Sequence, residues 1–127
     1  MNDSTKVLIF ESDGRGGCTC LGFDACTDAE IVIPPLSSDG YRIVRISAGA
    51  FRNFTSIRSV TIPGSVADIE MLAFAGCAGL RDIFYKATKE QWATVRKSPY
   101  WRVGTGEITI HCTDGDLVLQ NDEKGEK

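Results

Sequence analysis

The feature that most restricts what this chain can become is a spacing of 23 residues at which its apolar anchors return. Ile46 is answered by Ile69, Ala50-Phe51 by Ala73-Phe74, Ile57 by Leu80 and Val60 by Ile83. One or two such coincidences would mean little, but a whole set at one offset marks a repeated supersecondary unit. Within a unit, Ile57-x-x-Val60-x-Ile62 ends in period-two alternation, which turns Val60 and Ile62 inward and Ser59 and Thr61 outward. Pro63-Gly64 stops that strand. The segment around Ala50-Phe51 is too short for a free-standing helix and predicts a single helical or 3₁₀ turn that drives Phe51 into the interior. A unit this small cannot cover its own apolar side. Successive units must therefore stack, and the expected fold is an α/β-type repeat solenoid, mostly β, with a parallel sheet along one face.

The flanks predict how such a stack is closed. Val7-Leu8-Ile9-Phe10 and Cys18-Thr19-Cys20-Leu21 are joined by a glycine-rich stretch and read as a β-hairpin cap. After the repeats, Thr88 with Gln91 three residues on forms a capping-box pattern for a helix over about residues 89–97. Trp92 and Val95 share one side of it, Pro99 ends it, and Trp101 is a second large plug. Ile108–His111 and Leu117–Leu119 flank Asp114-Gly115, a favourable hairpin turn. The expected organisation is one domain over 1–120, with an N-terminal cap at 7–30, repeats at 31–86 and a C-terminal cap at 87–120. A flexible tail follows at 121–127. With both ends closed, a complete small protein is expected.

Specific motifs carry a resemblance. Ile62-Pro63, Val66-Ala67-Asp68-Ile69, Ala73-Phe74 and Gly76-Cys77-Ala78-Gly79-Leu80 resemble the units of the BspA-type leucine-rich repeat family of bacterial proteins. The stretch from Gly17-Cys18 through Cys26-Thr27-Asp28 to Ile31-Val32-Ile33-Pro34 is similar to the start of those domains, and Tyr85 to Trp92 with Ile108 to Gly115 to their close. Phe54 stands where the next unit has Cys77, and the first unit is stretched around Pro35-Leu36-Ser37-Ser38-Asp39-Gly40. The resemblance implies a short leucine-rich-repeat stack and a role in protein recognition, in a family often found at the cell surface.

Charge and composition exclude more than they assign. Net charge is −3, which argues against direct nucleic-acid binding by the molecule as a whole. Residues 1–30 carry net −4, 31–102 net +5 and 103–127 net −4, a basic middle between acidic ends. No apolar run approaches the ~20 residues of a membrane-spanning helix. Residues 1–15 show no export signal, so a cytoplasmic setting and reduced thiols are expected. A bridge between Cys18 and Cys26 is geometrically open.

Catalytic and metal readings find little support. Cys18-x-Cys20 with Cys26 is a weaker zinc pattern than paired C-x-x-C knuckles, and His111-Cys112 is expected at the opposite end of the stack. Adjacent strand residues point to opposite faces, which argues against a His111–Cys112 nucleophile pair. Asp114-Gly115-Asp116 lacks the further oxygen ligands of a calcium loop. Cys77 reads as a buried small hydrophobe. No enzyme activity, metal or cofactor is expected.

What remains is the exposed side of the sheet. Registering the strands by their anchors places Val32, Thr61, Phe84 and Thr109 in one outward column and Glu30, Ser59, Asp82 and Glu107 in the next, with Arg58 and Arg81 alongside. Phe84 is either an exposed anchor or packed under the C-terminal cap against Trp92, and a one-residue slip in register reverses the answer. Arg58, Arg81, Asp82 and Phe84 are the expected contacts of a non-enzymatic protein-binding module. The alternative is a small acidic inhibitor of an enzyme or of a nucleic-acid-binding complex, of the phage anti-defence kind.

Overall fold

A computed structural model describes residues 9–12, 17–22, 29–37 and 40–120. The chain winds as a solenoid whose coils each place one strand in each of two sheets. The strands are β1 (Ile9–Ser12), β2 (Gly17–Gly22), β3 (Glu30–Val32), β4 (Arg42–Ile46), β5 (Ser59–Ile62), β6 (Asp68–Ile69) and β7 (Asp82–Tyr85). Helix α1 (Lys89–Thr94) follows, then β8 (Arg96–Lys97), β9 (Ile108–Cys112) and β10 (Gly115–Leu119).

One sheet, here called the front, runs β10-β9-β7-β5-β3, and the other, the back, runs β1-β2-β4-β6-β8. The expected parallel sheet is the front one, in which β3, β5, β7 and β9 are parallel. The back sheet is an addition to the sequence reading. Val66-Ala67-Asp68-Ile69 and its counterparts, read there only as a step between strands, make two-residue pairings that alternation over so short a stretch cannot announce. The N-terminal hairpin is present as the antiparallel pair β1–β2, and β2 joins the back sheet alongside β4.

The interior follows from the period-two pattern. Ile31, Val60, Ile83 and Ile110 are register partners across the front sheet, and each is buried. Ile43, Ile46 and Ile69 close the interior from the back sheet. The third side of each coil is a turn segment, not a sheet. Phe51 N–H donates to the Ala73 carbonyl at 2.8 Å and Asn53 N–H to Ala75 at 2.7 Å. Phe74 N–H donates to Trp101 at 2.7 Å and Gly76 N–H to Val103 at 2.8 Å, which repeats the pattern one coil later. The same left-handed backbone recurs with it: Gly49, Leu72 and Tyr100 have φ of 68°, 62° and 64°, and Asn53, Gly76 and Gly104 have 64°, 75° and 88°. A third coil therefore exists, displaced by 28 residues instead of 23, because α1 is inserted between β7 and β8. At Gly76, a side chain would collide with Asn53 Oδ1 of the coil before, so both the backbone and the close approach require glycine.

Inside these turns runs a column of aromatic rings. Phe51 stacks on Phe74 at 5.2 Å between centroids, Phe74 meets Trp101 edge-on at 6.2 Å, and Trp101 meets Trp92 at 6.1 Å. Trp92 in turn meets Tyr85 at 5.1 Å. Trp101 occupies the position that Ala73 has in the second coil, and Arg102 that of Phe74.

The C-terminal cap differs from expectation in three details. The helix ends at Thr94, not near 97, because Val95 turns extended and the chain enters β8 well before Pro99. Thr88 is the N-cap, its hydroxyl accepting from Gln91 N–H at 3.1 Å. The β9–β10 turn is Thr113-Asp114 between the paired Cys112 and Gly115, one residue earlier than expected. Asp114 is thereby free to accept from Lys89 N–H at 2.8 Å, tying the hairpin to the start of the helix. The bridge open to Cys18 and Cys26 and the tail at 121–127 lie outside the described residues or side chains.

Phe74 touches rings of both neighbouring coils, so truncation opens a cavity that neither coil can fill. Phe74→Ala is expected to lower unfolding free energy by about 4 kcal/mol, measured by urea denaturation.

Candidate functional site

The outward residues of the front sheet form a surface whose rows are fixed by strand register. One row runs Val32, Thr61, Phe84, His111 and Asp116, and the next runs Glu30, Ser59, Asp82, Thr109 and Val118. Phe84 is 39% exposed. It is Tyr85, its inward neighbour, that meets Trp92, which settles the two alternatives in favour of exposure. Val32 and Val118 are also exposed on this face.

The neighbour of Phe84 corrects the sequence register. Thr109, expected beside Phe84, lies beside Asp82, and His111 takes its place. The shift is two residues, so inward and outward faces are unchanged, and Ile108 and Ile110 are both buried and could equally have served as the partner of Ile83. His111 was read only as a catalytic or metal candidate and was missed as a member of this face. The signal that could have found it is the lengthened last unit.

His111 is held from three sides. Its ring stacks on Phe84 with centroids 4.7 Å apart and planes at 16°. Nε2 lies 2.8 Å from Asp82 Oδ1 on β7, and Nδ1 lies 3.2 Å from Asp116 Oδ1 on β10. The hydrogen bond to Asp82 raises its pKa, opposed by partial desolvation and assisted by the charge of Asp116. Both contacts use carboxylate oxygens as acceptors. Only the protonated imidazolium, with two N–H groups, can donate to both at once.

Of the four expected contact residues, the structure brings Asp82 and Phe84 together on this face. Arg58 and Arg81 stand one position before their strands, where alternation gives way to the turn that buries Ile57 and Leu80. The Arg81 guanidinium donates to the Ala78 carbonyl at 3.0 Å and the Leu80 carbonyl at 3.3 Å, back over its own loop. The arginines thus border the face at one corner.

Charge is divided between the sheets. The front strands β3, β5, β7, β9 and β10 contain Glu30, Asp82, Asp116 and His111 but no lysine or arginine. The back strands β4 and β8 carry Arg42 and, near Asp68, Arg45 and Arg96. Lys97, the register partner of buried Ile69, turns its ammonium onto the Trp92 and Val95 carbonyls. Arg45 approaches Asp68 at 3.8 Å and Glu70 at 3.4 Å, and Arg96 approaches Asp68 at 3.4 Å. Part of the basic middle of the sequence is therefore directed to the back sheet.

The remaining reactive side chains are committed elsewhere. Cys77 is fully buried with Sγ 3.0 Å from the Phe51 carbonyl, and burial pushes its thiol up to about 11. Cys112 packs against the core, on the opposite side of β9 from His111, and burial raises its thiol as well. Among the described residues no group of three His, Cys, Asp or Glu side chains is placed to hold a metal.

Comparison with solved structures agrees with this architecture. No protein-family model matches the sequence, and no curated protein does. A leucine-rich repeat protein from Bacteroides capillosus superimposes with a TM-score of 0.57 and 24% identity, covering 86% of this chain and 99% of that one. A T. pallidum leucine-rich repeat protein gives a TM-score of 0.57 and 23% identity over 68% of this chain and 44% of the other. A leucine-rich cell surface protein from Faecalibacterium prausnitzii gives 0.56 and 21%, covering 78% of this chain and 26% of that protein. The chain thus spans less than half the length of the last two. The fold is a leucine-rich-repeat solenoid, similar to those of bacterial proteins.

Because the raised pKa of His111 belongs to the folded state, its contribution to stability is fully present below the unfolded value of about 6.5 and fades as pH rises through the folded value. Urea midpoints are expected to fall between mildly acidic and mildly alkaline pH, and His111→Gln is expected to flatten that dependence.

Proposed function

We propose that the protein is a non-enzymatic recognition module that presents the outer face of its front sheet to a protein partner. The observation that carries this reading is Phe84, a large aromatic standing exposed on the central strand of the front sheet, with its ring stacked on His111. Aromatic anchors preorganised in this way dominate protein interfaces, and repeat solenoids use their sheet faces for recognition. Exposed Val32 and Val118 extend the apolar area on either side. Asp82 supplies a polar rim next to the anchor, and Arg58 and Arg81 border it at the corner. The BspA-type resemblance of the Ile62-Pro63 and Gly76–Leu80 motifs supports the same class of role.

The double substitution of Phe84 and Arg81 by Ala is expected to abolish capture of the native partner in a pull-down from the host. Unfolding free energy should change by no more than about 1 kcal/mol, since neither side chain fills the core. Undiminished capture would contradict the reading.

A further inference from the structure

We propose that the front face docks a basic protein segment, whose Lys or Arg side chains take the Asp82 and Asp116 carboxylates from His111 while its apolar residues cover Phe84. This rests on the recognition role of the face and adds the chemistry of the partner. The argument is charge complementarity. The five front strands offer carboxylates and no lysine or arginine, so Asp82 and Asp116 beside Phe84 suit a basic partner. Lys86, exposed one position past β7 near Thr61 and Val32, is the cation that an acidic partner would meet. The guanidinium of Arg81 at the border is turned onto the Ala78 and Leu80 carbonyls. The Asp82 and Asp116 side chains are 42% and 57% exposed, within reach of an incoming cation.

His111 makes this exchange conditional. A neutral imidazole has one N–H, so it satisfies one of its two carboxylates and presents a lone pair to the other. A partner cation restores the missing donor. Imidazolium already supplies both and competes for the same oxygens. The charged groups around the ring are Asp82 on β7, Asp116 on β10, Lys86 at the outward position after Phe84, Asp114 in the hairpin turn and Lys89 of α1, which lies over Gly115. Strand β5 adds only Ser59 and Thr61 on this side. Docking therefore tightens as His111 loses its proton and weakens with salt.

The test titrates the ¹⁵N-labelled full chain with a short peptide alternating Lys and Leu, and in parallel with matched Glu/Leu and Ser/Leu peptides. The Lys/Leu peptide is expected to shift the amides of Phe84, His111 and Thr61, more tightly at pH 8 than at pH 6. Asp82→Asn with Asp116→Asn should weaken it roughly tenfold or more. His111→Gln should keep binding and lose its pH dependence. Equal or tighter binding of the Glu/Leu peptide at this face, or no loss in the double Asn variant, would overturn the basic partner and leave the recognition face standing. Failure of all three peptides to perturb the face, together with native partner capture that survives Phe84→Ala, would overturn both.

Discussion

The structure depends on rings stacking from one coil to the next. Phe51, Phe74, Trp101, Trp92 and Tyr85 form one continuous column. No single coil can bury its own aromatic residue, so each gains an interior only when its neighbour is in place. The backbone bonds on the turn side hold the rings at a fixed offset, and that offset sets the register of both sheets. Everything displayed on the front face inherits its position from this stacking.

The same constraint separates the charges. A coil visits the back sheet and the front sheet in turn, so residues far apart in sequence share a face while close neighbours lie on opposite ones. Arg45 and Asp68 pair across the back, while Asp82, His111 and Asp116 meet across the front. Exposed pairs of this kind add little to stability individually. Their consequence is a front that gathers Asp82, His111 and Asp116 beside Phe84 and a back on which Arg45 and Arg96 pair with Asp68 and Glu70.

Much of the solenoid was legible in the sequence, because Val60, Ile62, Ile83 and the Phe51 and Phe74 turns carry a periodic hydrophobic signal that only stacking satisfies. The back sheet was not, since Asp68–Ile69 and Arg96–Lys97 are two-residue pairings made visible only by their neighbours. The third coil was hidden because α1 breaks the spacing and Trp101 sits where earlier coils have alanine. At the candidate site, alternation turned Asp82 and Phe84 outward but left Phe84 open between exposure and packing against Trp92, which the contact of Tyr85 with Trp92 decides. The place of His111 depended on a choice between two equally apolar anchors, Ile108 and Ile110, and Arg81 depended on a turn conformation that alternation does not describe.

The most direct test of the account is a nuclear Overhauser spectrum of the aromatic side chains. Coil stacking at the stated register predicts cross-peaks between the rings of Phe51 and Phe74 and between those of Phe84 and His111, with none from Phe84 to Trp92. Cross-peaks from Phe84 to Trp92, or the absence of any between Phe51 and Phe74, would contradict it.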